Sequence, residues 1–200
     1  MDGKIEVLGQ EWLSQGFMKL AKYTVRHERF DGSMIGPFTR EIILRTTAVG
    51  VLPYDPIADK ILLIEQFRLA AHLAGFPAWQ LEVVAGIVDH AGEGDAEVAR
   101  REAQEEAGLI VEGELRPIHR YMTSPGGTTE TVTLFCGRVD SRHAGGVHGL
   151  ATEHEDIKVA VKSYRAALRL IRADKIINGI TLLALYWLVQ NRSRLRREWR

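Results

Sequence analysis

The stretch from Asp95 to Gly108 constrains this chain more than any other, because it fixes a helix and loads one surface of it with carboxylates. Asp95 stands where an N-cap belongs, Val98, Ala99 and Ala103 are apolar at helical spacing, and Gly108 is placed to end the helix in a left-handed turn. Glu102 and Glu106 are four apart and Glu105 is three from Glu102, so the side chains are surface neighbours that repel one another. Taken as charge alone, such a face is ordinarily solvated. The other reading is a cluster neutralised by divalent cations, and magnesium prefers oxygen ligands of this kind.

Strand signals surround the helix. Phe17 to Phe30 and Phe38 to Val51 are extended stretches on either side of an Asp31-Gly32 turn, which gives the first forty residues the look of a hairpin. Lys60 to Ile64 reads as a fully buried strand, and Leu81 to Ala85 as another ending at Gly86. Further strands are expected at Leu115 to Met122, Thr129 to Val139 and Ile157 to Val161. Ser163 can cap a helix over Tyr164 to Ala173, and a long helix is expected from Lys175 onward with Ile176, Ile180, Leu183 and Trp187 on its apolar face. Strands with intervening and trailing helices predict an α/β fold, a mixed sheet covered by helices.

Charge and cysteine content exclude several classes of function. Twenty-six basic residues offset twenty-six acidic ones, so nothing favours a nucleic-acid or anionic-membrane partner. The arginines at 192, 194, 196, 197 and 200 suit the C-terminal end of a helix without any such partner. The lone Cys136 sits in an alternating strand-like run and reads as a buried, inert thiol. His143, His148 and His154 share a loop but lack ligand-type spacing for zinc, and Ser124 has no triad spacing around it. The N-terminus carries no signal pattern, which fits a cytoplasmic protein. The apolar run Ile180 to Val189 is about half a membrane span and reads as a buried or interface helix.

The order of residues around the helix carries a resemblance. From Gly86 the chain reads Gly86-Ile87-Val88-Asp89-His90-Ala91-Gly92-Glu93, then seven residues to Arg101-Glu102-Ala103-Gln104-Glu105-Glu106-Ala107-Gly108-Leu109. This resembles the Nudix box and matches every defined position from Glu93 to Leu109. One departure precedes them: six residues rather than five separate Gly86 from Glu93, an insertion near Ala91-Gly92. The flanks are similar to the bacterial ADP-ribose pyrophosphatase branch: Ile64-Glu65-Gln66-Phe67-Arg68, Ser124-Pro125-Gly126-Gly127-Thr128, and His148-Gly149-Leu150 running into Glu153-His154-Glu155-Asp156.

That resemblance implies a Nudix α/β/α sandwich over 46–200 with an N-terminal β extension, 1–45, for dimerisation and adenine recognition. It implies hydrolysis of the pyrophosphate of ADP-ribose to AMP and ribose 5-phosphate in a homodimer, with magnesium, or manganese as a substitute. Glu102 and Glu106 would be the principal metal ligands, with Glu105, Glu155 and the Ala85 carbonyl assisting and Arg101 orienting the glutamates. Glu153 matches the loop glutamate proposed as general base. Arg68 would contact the diphosphate and Glu82 the substrate. Phe17 and Arg40 would sandwich the adenine, often one from each subunit, and Glu41, Ser124 and Glu130 would add polar substrate contacts. The alternatives are another nucleoside-diphosphate sugar, such as GDP-mannose, and a non-catalytic ADP-ribose sensor.

Overall fold

Alternation along the strands accounts for the layering. In β4 (Ala48–Asp55) Val49 and Val51 point to one face while Leu52 and Tyr54 point to the other, and in β5 (Lys60–Phe67) Leu62 and Ile64 oppose Ile61 and Leu63. A strand buried on both faces needs cover on both. One face packs on α2 (Asp95–Ala107) through Val98, Ala99 and Ala103, and the other on α3 (Tyr164–Arg172) and α4 (Gly179–Glu198) through Ala167, Ala184, Leu185 and Leu188. These two cores are the expected α/β/α sandwich.

The computed structural model describes residues 3–88 and 92–199, and of Glu153 the backbone only. The chain forms two compact units, Met1–Thr47 with Tyr121–Thr131 and Ala48–Arg120 with Val132–Arg200. The second unit holds the sandwich. Its remaining elements are α1 (Leu69–Leu73), β6 (Trp79–Glu82), β7 (Val84–Ile87), most of β8 (Glu112–Met122) and β9 (Thr131–Arg138), β10 (Val147–His148) and β11 (Ile157–Ser163). The sheet order is β10-β11-β5-β4-β9-β8, with β6 paired to β5 and β7 to β4. It is mixed, since β4 and β9 run parallel while β4–β5 and β5–β11 are antiparallel.

The first unit is an antiparallel sheet of β1 (Ile5–Gln15), β2 (Lys19–Glu28) and β3 (Met34–Leu44). The expected hairpin is therefore two strands of three. The pattern of β1 is hidden by register shifts between Val7 and Gly9 and between Trp12 and Ser14, which break the period of two. The second extended stretch also divides, β3 ending at Leu44 and β4 starting at Ala48 in the other sheet. Residues 121–131 return to this unit, where Ile43 donates to the Gly127 carbonyl at 2.9 Å and Thr129 to the Ile43 carbonyl at 3.0 Å.

Two helix starts differ from expectation. The N-cap of α2 is Gly94, not Asp95: the Glu97 carboxylate accepts the Gly94 N–H at 2.9 Å, and Asp95 is the first helical residue, where its charge suits the helix N-terminus. Gly108 ends the helix at φ +62°, as expected. The long C-terminal helix starts at Gly179 rather than Lys175, because the Lys175 N–H closes α3 against Leu170 and Asn178 caps the next helix, accepting the Thr181 N–H at 3.0 Å. Near the far end of α4, Arg192 clasps Asp59 at 2.6 and 2.7 Å and lies over the Tyr164 ring, and Arg196 donates to the Pro56 carbonyl. Arg200 lies outside the described residues. Cys136 is fully buried, and burial pushes its thiol pKa up. No described helix is long and apolar enough to cross a membrane.

Candidate active site

The acidic helix meets the sheet at β7. Ala85 donates its N–H to Glu106 Oε2 at 3.1 Å, which engages one carboxylate oxygen and leaves Oε1 available as a ligand atom. A Cβ on Gly86 would lie 1.9 Å from Glu102 Oε1, so the glycine is the cradle in which the Glu102 carboxylate rests. Glu106 is 4% exposed, and burial lifts its pKa to about 8, aided by the charges of Glu102 and Glu155 and opposed by the Ala85 N–H and Arg68. Glu102 is raised as well, first by burial and then by Glu105 and Glu155, against Arg101. Buried carboxylates in mutual repulsion call for a cation.

Arg101 partly supplies one. Its Nε and Nη2 donate to Glu93 at 3.1 and 3.3 Å, and Nη1 donates to Glu102 at 2.8 Å and Glu105 at 3.0 Å. These bonds, the Glu93 one foremost, raise the arginine pKa further. Arg101 thus joins Glu93, Glu102 and Glu105 through one guanidinium. Among the described residues no three acidic, histidine or cysteine side chains already form a metal shell. The donor set nonetheless fits a hard divalent cation, since it is all oxygen, under-neutralised, and seated where only a glycine leaves room.

Arg68 and Glu82 form a second, adjoining pair. Arg68 Nε lies 3.1 and 3.2 Å from the two Glu82 oxygens and Nη2 lies 2.8 Å from Oε2, with the Glu82 side chain 5% exposed. Burial opposes the arginine's charge, but Glu82, Glu106 and Glu155 outweigh it and raise the pKa. Both residues line a cavity of about 390 Å³ with Phe76, Ala85, Ile177 and Asn178. Phe76, Ile177 and Asn178 were not anticipated. Asn178 before an apolar helical run was a legible cap, but nothing local ties Phe76 or Ile177 to the Arg68–Glu82 pair.

On the loop that precedes β11, Glu155 Oε2 accepts the Leu150 N–H at 3.0 Å, and the Gly149 N–H reaches the Glu105 carbonyl at 3.3 Å. His148 packs against Gly108 and meets the Gly145 carbonyl at 2.8 Å. Glu153 belongs to a short 3-10 turn, Ala151–Glu153, and its side chain lies outside the described residues. So do Asp89, His90 and Ala91, and with them most of the inserted loop.

Phe17, Arg40, Glu41, Ser124 and Glu130 all lie in the first unit. Arg40 stacks over Phe38 at 4.5 Å and Arg45 over Phe17 at 5.3 Å, so Phe17 and Arg40 do not pair with each other within one chain. Arg40 and Glu41 are exposed on β3 opposite Tyr23 and Lys22. Glu130 accepts from Thr123 at 3.0 Å and lies 3.6 Å from Arg45, while the Ser124 carbonyl accepts from Gly127 and Thr128.

A glycine-cradled glutamate helix beside an arginine-lined cavity, carried on an α/β/α sandwich, has the oxygen-ligand chemistry that a divalent cation fits. The family model for the NUDIX domain matches residues 44–176. The chain is 43% identical over 195 residues to an ADP-ribose pyrophosphatase of Escherichia coli strain K12, covering 98% of this chain and 92% of that one. It is 34% identical over 191 residues to a GDP-mannose pyrophosphatase of Escherichia coli strain SMS-3-5, covering 94% and 96%. A crystal structure of an ADP compounds hydrolase superposes with a TM-score of 0.72 at 18% identity, over 99% of this chain and 96% of the other, and shares the fold. The chain belongs to the NUDIX family, and the expectation of a Nudix pyrophosphohydrolase is borne out.

Proposed function

We propose that the chain is a magnesium-dependent ADP-ribose pyrophosphatase that yields AMP and ribose 5-phosphate. The observation that carries the chemistry is the seating of Glu102 against Gly86 and of Glu106 against the Ala85 N–H. The choice of ADP-ribose is supported by the 43% identical relative of that name and by the flanking blocks around Arg68, Ser124 and Glu153.

When bound, magnesium supplies polarisation of the phosphoryl oxygens and acidification of the attacking water. Glu102 and Glu106 would hold it, with Glu105, Glu155 and the Ala85 carbonyl assisting, and manganese would serve as a substitute. Arg101 keeps the glutamate oxygens in place through its bonds to Glu102 and Glu105. The Arg68 guanidinium, with more N–H donors than the Glu82 carboxylate takes, binds the diphosphate at the cavity wall. Glu153 takes the proton of the attacking water from its loop. Phe17 and Arg40 stack on the adenine, and Glu41, Ser124 and Glu130 bind its polar neighbours. The assembly is a homodimer, since β1 is an edge strand exposing Ile5, Val7 and Trp12. Light scattering should then give twice 22.4 kDa.

Incubation with ADP-ribose and magnesium should release AMP, and chelation should stop it. A panel including GDP-mannose separates the second reading, which the 34% identical relative favours. Higher kcat/KM for GDP-mannose would install that reading, and inactivity on every nucleoside-diphosphate sugar would end both.

A further inference from the structure

At Val83 the chain changes sheet neighbours: β6 runs to Glu82 against β5, and β7 starts at Val84 against β4. A switch of ladder leaves a backbone N–H between partners, and with Val83 only 1% exposed, water is no substitute. The acceptor comes from the other end of the chain. Val83 donates to Thr181 Oγ1 at 2.9 Å, and Thr181, itself 0% exposed, donates that hydroxyl to Asn178 Oδ1 at 3.0 Å. The Asn178 oxygen also caps α4, so the switch is tied to a helix terminus by a directional relay.

The residues on either side of the switch carry the site. Glu82 clasps Arg68, Ala85 holds Glu106, and Gly86 cradles Glu102. We propose that Thr181 is a positioning residue for hydrolysis: its hydroxyl pins the β6–β7 switch and so fixes the substrate-side clasp relative to the glutamate helix. The inference rests on the pyrophosphatase reading above. Size alone does not explain the residue, since a valine would fill the same volume while leaving the Val83 N–H buried and unpaired.

The test compares Thr181→Val, Thr181→Ser and a control in the same helix, Leu188→Ala, which opens a cavity in the core about 10 Å farther along α4 from Thr181. Misplacement of reacting groups by a fraction of an ångström lowers turnover, so Thr181→Val should cut kcat on ADP-ribose about tenfold with KM within about twofold. Thr181→Ser should restore kcat to within about threefold, and Leu188→Ala should lower Tm with kcat unchanged. Hydrogen exchange of the metal-free protein should quicken at residues 82–86 in Thr181→Val and not in Thr181→Ser. Should the valine variant not fold, Asn178→Ala removes the far anchor and should act in the same direction, by about threefold. An unaltered kcat in Thr181→Val, a matching kcat loss in Leu188→Ala, or unaltered exchange at 82–86 would each overturn the assignment. Wild-type inactivity on nucleoside-diphosphate sugars would remove the substrate reading alone, and the exchange comparison would still decide whether Thr181 pins the switch.

Discussion

Gly86→Ala is the sharpest probe of the glutamate site. The added methyl would stand 1.9 Å from Glu102 Oε1, 2.0 Å from Cδ and 2.5 Å from Cγ, so the outer half of the side chain has to swing away. Ordinary carbon contact distances require a shift of roughly 1.5 Å or more. Gly86 does not occupy the left-handed region, so the backbone tolerates alanine and the loss of glycine freedom even favours the fold by up to about 1 kcal/mol. The two effects separate cleanly. Moving a reacting group by about 1 Å costs on the order of 100-fold, or about 2.7 kcal/mol of transition-state stabilisation, so kcat/KM should fall at least that far while Tm holds or rises. Initial rates of AMP release and a thermal melt measure both. Gly9→Ala, where a Cβ meets nothing within 4 Å, is the matched control and should leave both unchanged. A Gly86→Ala enzyme within threefold of wild type would refute the claim that this cradle sets the Glu102 carboxylate.

Removing a principal ligand should abolish more than turnover: Glu106→Gln should lose at least ~100-fold in kcat, and the magnesium-dependent rise in Tm should largely disappear. A full thermal response to magnesium in that variant would shift the ligand role elsewhere. Glu82→Gln frees Arg68 from a charged clasp, and KM for ADP-ribose should rise several-fold with kcat little changed; a lower KM would mean that the clasp competes with substrate. Stability should depend on pH through Asp55. Burial alone would raise its carboxyl, but bonds from the Ser141 hydroxyl and the N–H groups of Ala58, Ser141 and Ile57 hold it below the ordinary value. Its contribution is therefore complete above the unfolded pKa near 3.9 and is lost as pH falls through the lower folded value. Asp55→Asn should cost about 1–3 kcal/mol at pH 7 and flatten the acid limb of a urea-melt series, and an unchanged limb would exclude Asp55 as its source.

What could be read from the residues in advance follows how local the cause is. The glutamate helix, its Gly108 stop and the Ser163 cap were legible because each depends on side chains within one or two turns, and the Ser163 hydroxyl does accept the Ala166 N–H at 3.2 Å. The pairing of Arg68 with Glu82 depends instead on β5 and β6 lying side by side, which no spacing rule across fourteen residues announces. Likewise β1 was missed because bulges disturb its alternation, and α1 is too short for any helical period to register. The Thr181 relay reaches across ninety-eight residues and answers a sheet switch that only the assembled sandwich contains.

The departure from the family pattern can be judged from the contacts that bracket it. Glu93, on the far side of the insertion, binds Arg101 at 3.1 Å, and Gly86, on the near side, seats Glu102. Arg101 and Glu102 are adjacent on one helix, so both brackets close onto the same turn of α2. An extra residue that displaced the box would have to break one of them, because the helix cannot move by a residue's length toward Glu93 and still meet Gly86. On the Glu93 side of the insertion Gly92 adopts φ +88°, and a Cβ added there would meet nothing within 4 Å. It follows that deleting Ala91 should leave kcat within about threefold, whereas Glu93→Gln, which weakens a bracket, should lower it more. Rate measurements on the two variants decide the matter, and a deletion more damaging than Glu93→Gln would show that the extra residue shapes the site itself.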